Sequence, residues 1–368
     1  MATEPMSPNI FITGLFRSGT TLVSRALSVH KSVDIYYQPF TDFFKYTFDR
    51  FLKSKGQLKT LPMGDPFIFD NLFDEFRDDI LATDFEDSNI HEIKKKVLKA
   101  YDVDSVEKSI KAGSAFNNAA GSTFEQFFLS AMINLQEIST QNAPVLAGIK
   151  EIWCEDFIPA FLNQDRFPIK CIHIIRDPRA ITASRNYGNY FEKGCNGQKY
   201  PILFISRSWR RSINIYKKML GQKGYFPLIY ENFVQDPEKV MRQVCDFLNI
   251  DFDNDMINFK KFKGGDGQPW KGNTDSRQFS SISADRNDKW KNILSEDEIF
   301  LIEFLCMSEM EALGYKFVTN KMDTERFIAL QEDQNAVKSW LSKHNHCLNS
   351  IEKKKELHNK GIFIENKC

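Results

Sequence analysis

The sequence has no excess of charge of either sign: 49 Lys and Arg stand against 49 Asp and Glu in 368 residues, a formal net charge of +0. Nucleic-acid binders neutralise phosphates with a basic stripe, so this balance argues against DNA or RNA as a partner. There is no C-x-x-C pair, and the seven cysteines, Cys154, Cys171, Cys195, Cys245, Cys306, Cys347 and Cys368, are scattered. That excludes zinc-type ligand spacing, and the odd count reads as reduced thiols instead of a disulfide framework. No run of about 18 apolar residues occurs, and the opening MATEPMSPNIFITG lacks the basic-then-apolar order of a secretory leader. A soluble, cytoplasmic protein with no membrane partner is therefore expected. No repeat of fixed period is evident. At 42% hydrophobic and 27% charged residues, the chain can bury a sizeable core. What it has in abundance is phenylalanine, 33 residues, ten of them between Phe40 and Phe85.

Apolar runs followed by turn chemistry and helical spacing recur along the chain. Residues 9–13 read as a strand ending at Gly14, with a helix from Thr20; residues 169–175 read as a buried strand, with Asp177-Pro178 opening a helix at about Arg179. Residues 226–230 read as a further strand, followed by a helix from Pro237 to Leu248. Phe40, Phe43, Phe44, Phe48 and Phe51 follow the i, i+3, i+4 spacing of an amphipathic helix, and 122–138 reads as another. A Gly-, Asn- and Ser-rich loop spans 263–288, and a helix is expected over 295–312. Strands alternating with helices imply an α/β fold, a central parallel sheet flanked by helices. The expected organisation is a P-loop-type three-layer domain over 1–320 with a Phe-rich helical insertion at about 40–145, then a helical extension over 321–368.

Gly14-Leu15-Phe16-Arg17-Ser18-Gly19-Thr20-Thr21 lies between the first strand and the first helix. Backbone N–H groups at a helix N-terminus, with the positive end of the helix dipole, attract an anion. The glycine spacing matches the outline of the G-x-x-x-x-G-K-[ST] nucleotide loop, but Thr20 stands where the lysine belongs and Arg17 lies inside the loop. ATP and GTP chemistry uses that lysine, so its loss counts against a kinase. A tight turn needing glycine for geometry alone is the plainer alternative. At Arg176-Asp177-Pro178, the plainer alternative is a capped helix start.

FITGLFRSGTTLVSRAL resembles the phosphosulfate loop of the sulfotransferases that use 3′-phosphoadenosine-5′-phosphosulfate (PAPS), and IHIIRDPRAITASRNYG resembles their 3′-phosphate segment. The resemblance implies that Arg17, Ser18, Gly19, Thr20 and Thr21 hold the 5′ end of the donor, while Arg176 and Ser184 hold the 3′-phosphate. A guanidinium and a hydroxyl near a helix start suit such an anion. Tyr230-Glu231-Asn232-Phe233 resembles the family's Y-E-D-L segment. Trp270-Lys271-Gly272-Asn273-Thr274 is similar to its late donor-covering loop, which adds Tyr230, Lys271, Gly272 and Asn273 to the donor side. Lys150 occupies the place of a second donor-side lysine in tyrosylprotein-type relatives. The resemblance spans about 9–316 and is specific in the two phosphate segments.

The family's chemistry is in-line transfer of a sulfuryl group to a hydroxyl or amine, aided by placed cations and N–H donors, with no metal expected. Where many relatives carry a glutamate, this chain has Tyr37-Gln38-Pro39-Phe40, and an amide cannot accept a proton at neutral pH. Asp42, Glu151 and His30 are the candidate bases, with no base at all the alternative for an already nucleophilic acceptor. Gln38, Phe40 and Phe44 are the expected acceptor-side residues, and Asp42, Glu151 and Asp156 would suit a cationic one. The expected partner is a soluble small molecule, in the narrowest reading a polar specialised metabolite or alkaloid toxin, with a homodimer left open. A P-loop small-molecule kinase and a catalytically silent nucleotide-binding protein are the competing readings.

Overall fold

The computed structural model describes residues 9–56, 72–85, 90–92, 94, 106–139, 146–184, 202–264, 267–272, 281–319 and 323–332. Five parallel strands form one sheet: β1 (Asn9–Gly14), β2 (Val33–Tyr37), β3 (Leu146–Lys150), β4 (Ile169–Ile175) and β5 (Tyr225–Ile229), in the order β2-β3-β1-β4-β5. The chain leaves β1 toward β3 and β2 on one side and returns to β4 and β5 on the other. The end of β1 is thus the point where strand order reverses, the place in open α/β sheets where a crevice forms. Ile10 pairs with Gly148 on one flank, and Phe11 with Cys171 and Gly14 with Ile174 on the other.

β1 is buried along its whole length, as a central parallel strand covered on both faces must be. Side chains alternate across it. Ile10 and Ile12 join Val23, Leu27, Ile172, Ile174, Met241 and Val244 on one face; Phe11 enters the aromatic core on the other. That core is where the phenylalanines go. Phe11 lies 5.7 Å from Phe44 and 5.1 Å from Phe161, ring centre to ring centre. Phe44 lies 5.5 Å from Phe124, and Phe43 stacks on Phe124 at 4.9 Å and meets Phe116 at 5.4 Å. Edge-to-face and offset pairs of this kind add modestly to the area they bury.

The insertion contains α2 (Thr41–Ser54) and helices Phe73–Asp79, Val106–Asn117 and Phe124–Ser139 among its described residues. It also covers the sheet edge. Lys108 pairs with Asp34 at 2.6 Å and donates to the Ile35 carbonyl at 2.8 Å, masking acceptors that an exposed edge strand would offer to another chain.

One local expectation is corrected. The helix over 295–312 is two, Glu296–Leu305 and Met307–Ala312, because Cys306 leaves helical geometry at φ −106°, ψ 11°. The helix after Asp177-Pro178 ends at Thr182. Beyond residue 320, Thr324–Glu332 packs against the Glu296–Leu305 helix, with Phe327 stacked on Phe304 at 4.2 Å. Residues 333–368 of the expected extension lie outside the described residues. No described helix is long and apolar enough to cross a membrane.

Candidate functional site

The loop after β1 is shaped by close backbone approach. A Cβ on Gly14 would stand 2.5 Å from the Ile174 carbonyl oxygen, and one on Gly19, at φ 101°, would stand 2.3 Å from the Tyr230 ring. Both positions exclude a side chain, and Gly19 also needs the left-handed backbone that glycine alone adopts freely. Arg17 takes the left-handed region too, at φ 62°. Helix α1 (Thr20–Ser28) starts at Gly19 with no side chain capping its first amides. Beside them, the Ser18 hydroxyl is fully buried without a hydrogen-bond partner. An orphaned buried hydroxyl costs stability unless something meets it, and with uncapped N–H donors around it the loop fits an anion such as a phosphate or phosphosulfate group. Gly19→Ala is expected to destabilise the protein by about 2–3 kcal/mol, measured by urea denaturation, since the Tyr230 ring must give way.

The second segment lies against the first. Arg176, at the end of β4, donates from Nη1 to the Arg17 carbonyl at 2.9 Å, and Arg17 Nε donates to Ser184 Oγ at 2.5 Å. The Arg176 guanidinium lies 4.2 Å from the centre of the Tyr230 ring. Arg17, Ser184, Arg176, Tyr230 and Gly19 therefore form one continuous patch. Asp177 also caps the helix at Pro178, accepting from the Arg179 N–H at 2.8 Å, so the segment serves as a helix start and as part of this patch together. Thr20 is buried and Thr21 half-buried at the first turn of α1. Lys271 is exposed and Gly272 sits at φ 89°; Asn273 lies outside the described residues.

On the other side of β1, the ends of β2 and β3 are tied together. The Gln38 N–H donates to the Lys150 carbonyl at 2.7 Å, and Lys150 Nζ donates to Gln38 Oε1 at 2.9 Å. An ammonium only donates, so this bond fixes which way the Gln38 amide faces. Gln38 itself is at φ 48°. Glu151 is fully buried. Its Oε1 accepts from the Phe40 N–H at 2.8 Å and its Oε2 from the Thr41 hydroxyl at 2.5 Å, at the start of α2. Burial pushes its carboxyl up to about 7, against the pull of Thr41, Phe40 and Lys150. With both oxygens engaged by the helix start, Glu151 is built as a clamp on α2. Asp42 is half-buried one residue further on.

Phe40 and Phe44 have no exposed surface and face Phe116 and Phe124, so they back the site from within the core instead of facing an acceptor. His30 accepts from the Ser32 N–H at Nδ1, 3.1 Å, which fits a turn residue. Asp156 is buried beside Arg211 at 3.4 Å. Sequence reasoning missed Trp153, whose ring meets Phe16 edge-on at 4.8 Å and whose backbone N–H donates to the Gly14 carbonyl at 3.1 Å. It also missed Arg25, stacked 3.8 Å over the Tyr37 ring.

Residues 167–254, the stretch that holds β4, Arg176, Ser184, β5 and Tyr230, match the model of the Sulfotransferase family. That stretch is similar to the sulfotransferases. Mouse (Mus musculus) "Carbohydrate sulfotransferase 1" is 24% identical over 194 residues, 48% of this chain and 46% of the relative. A "Putative protein-tyrosine sulfotransferase" of Caenorhabditis briggsae is 24% identical over 169 residues, 43% of this chain and 56% of that one. The chain spans about half the length of the curated relatives it matches. Among solved structures, the "Sulfotransferase Domain from the Curacin Biosynthetic Pathway" aligns with 85% of this chain and 100% of its own at 18% identity, TM-score 0.47. The matched stretch carries the Arg176 arm of the patch; the Arg17 loop lies outside it in sequence and against it in space.

Proposed function

We propose that this protein is a PAPS-dependent sulfotransferase that sulfates a hydroxyl or amine of a soluble, polar small molecule. The observation that carries the reading is the lacing of two anion-binding arms, Arg17 with its loop and Arg176 with Ser184, into one patch at the reversal point of the sheet. A donor phosphorylated at both ends of its ribose needs two such arms, whereas a nucleoside triphosphate needs one long cradle with a lysine, and Thr20 stands in that lysine's place.

When bound, PAPS supplies the activated sulfuryl group. Ser18, the amides that open α1 and Arg17 would hold its 5′ end and stabilise charge on the departing oxygen; Arg176 and Ser184 would hold its 3′-phosphate. Lys150, fixed by Gln38, brings a second cation to the end of β3. Gln38, with its oxygen taken by Lys150, has only N–H donors to offer an acceptor or a sulfuryl oxygen. It orients and does not deprotonate. Asp42 is the carboxylate on this side whose oxygens are not committed to the start of α2, and it is the residue we assign to the acceptor's proton. The names of the relatives concern carbohydrate and protein-tyrosine acceptors, which are hydroxyl compounds. A polar specialised metabolite, including an alkaloid-type cation met by Asp42, falls in the same chemistry.

Thermal-shift titration tests the donor. 3′,5′-Adenosine bisphosphate is expected to raise Tm, by an amount that grows with the logarithm of its concentration above Kd, and ATP with Mg²⁺ is expected to raise it less. The reverse order would overturn the reading in favour of a kinase. Stabilisation by the bisphosphate with no sulfated product, across acceptors screened by mass spectrometry with PAPS, would point to a silent nucleotide-binding protein.

A further inference from the structure

One peptide plane beside the candidate donor site is held at both of its polar atoms. The Trp209 indole N–H donates to the Arg176 carbonyl at 2.7 Å, and the next amide, Asp177 N–H, donates to Glu231 Oε1 at 3.0 Å. These two atoms belong to the same planar unit. Fixing both removes its rotation and so fixes the backbone from which the Arg176 side chain reaches the Tyr230 ring. The other oxygen of Glu231, Oε2, accepts from the Tyr315 hydroxyl at 3.1 Å, and the Tyr315 ring lies 6.4 Å from that of Trp209.

The segment that brings Tyr315 is itself clipped down. Glu303, fully buried, accepts from the N–H groups of Val318 and Thr319 and from Arg179, whose Nη1 also donates to the Lys316 carbonyl. A strap from Tyr315 to Thr319 thus runs across the base of the Arg176 turn, joined to it through Glu231. The neighbouring residue, Tyr230, separates Gly19 from the Arg176 guanidinium. The Tyr230-Glu231 pair therefore faces the first loop with its ring and secures the second with its carboxylate.

We propose that Glu231 is a positioning residue for the 3′-phosphate arm: it holds the Arg176-Asp177 peptide against the Tyr315 strap and so sets where the Arg176 guanidinium stands. This rests on the donor reading above. A carboxylate suits the task because it accepts two hydrogen bonds at once, one from the amide and one from the hydroxyl.

Calorimetric titration with 3′,5′-adenosine bisphosphate and with 5′-AMP, which lacks the 3′-phosphate, separates positioning from general scaffolding. Glu231→Ala is expected to weaken the bisphosphate about tenfold and 5′-AMP less than about twofold, the difference a lost charge-assisted hydrogen bond produces. Glu231→Gln keeps an acceptor for the Asp177 N–H and is expected to restore bisphosphate affinity to within about threefold of the unaltered protein. In an Arg176→Ala background, Glu231→Ala is expected to add nothing, because the residue acts through that arm. Equal losses for both nucleotides, or additive losses in the double variant, would overturn the proposal. If Glu231→Ala does not fold, Glu231→Asp, one methylene shorter, carries the same comparison. If the unaltered protein binds the two nucleotides equally, the assignment of Arg176 to a 3′-phosphate is wrong, and the positioning role falls with it for that separate reason.

Discussion

Arg17→Ala is expected to lower kcat by a factor of about 10²–10³ while KM for PAPS rises by about tenfold or less. Arg17 is the cation of the loop after β1, and its Nε lies 2.5 Å from Ser184 Oγ. Two features make this a clean substitution. The left-handed backbone at φ 62° is as costly for alanine as for arginine, so the variant adds little strain. The carbonyl that accepts from Arg176 belongs to the backbone and survives. What disappears is the guanidinium, and with it, on the proposed function, stabilisation of charge that develops only as the sulfuryl group departs. Arg17→Lys restores charge without the planar fork, so partial recovery is expected. The check is product formation followed by mass spectrometry with saturating acceptor. A kcat within about threefold of the unaltered enzyme would remove Arg17 from the reacting centre.

The second large effect concerns Glu151. Its carboxyl, pushed up to about 7 by burial, holds a proton in the folded state that the unfolded chain releases at an ordinary glutamate pKa of about 4.3. The folded state therefore binds more protons between those values, and stability falls as pH rises through them. The loss approaches roughly 4 kcal/mol once pH exceeds the folded value. Glu151→Gln is nearly isosteric. Its oxygen can accept from the Phe40 N–H and its amide can donate to Thr41 Oγ1, whose own proton can turn to the Gln38 carbonyl 3.5 Å away. The variant is expected to be more stable than the unaltered protein at pH 8 and to have lost most of the fall between pH 5 and pH 8, measured by urea denaturation across that range. Because both oxygens already serve α2, activity is expected to stay within about fivefold, while Asp42→Asn loses about 10²-fold or more. A comparable loss in Glu151→Gln would return Glu151 to the role of base.

The parts of the fold that were legible in the sequence are those where pattern and context agree. β1 and β4 are apolar runs ending in turn chemistry, α2 shows its spacing through the phenylalanines, and the helix at Pro237–Leu248 opens on Asp236, which accepts from the Lys239 N–H. β2 and β3 were harder to read. LAGIK contains a glycine that weakens any strand signal, and its reason is tertiary: a Cβ at Gly148 would stand 2.6 Å from Ile35 Cδ1 and 2.7 Å from Ile10 Cβ. The helix Ile202–Met219 escaped notice because Ser206, Arg207, Ser208, Arg211 and Ser212 are polar residues that the fold buries.

The candidate site divides in the same way. The two arms lie in local motifs whose residues are consecutive or within eight positions of one another, so their identities show in the string. Contacts that depend on distant elements do not. Glu151 resembles a free carboxylate until α2, 110 residues away in sequence, lays Thr41 on it. Glu231 and Tyr315 meet across 84 residues. Phe40 and Phe44 come soon after Gln38 in the chain, yet both are buried in the aromatic core.

The aromatic core has a consequence for how such a protein can diversify. Phe11 belongs to the central strand, Phe44 to α2 and Phe124 to the far helix of the insertion, and these rings touch in sequence. The insertion is therefore not a detachable module. A chimaera that grafts it onto another scaffold would leave Phe11 and Phe161 without their mates, and one that grafts in a foreign unit would leave a void beneath β1. On the proposed function, a new acceptor preference would be reached by residue replacement around Gln38 and Asp42, leaving the shared interior intact.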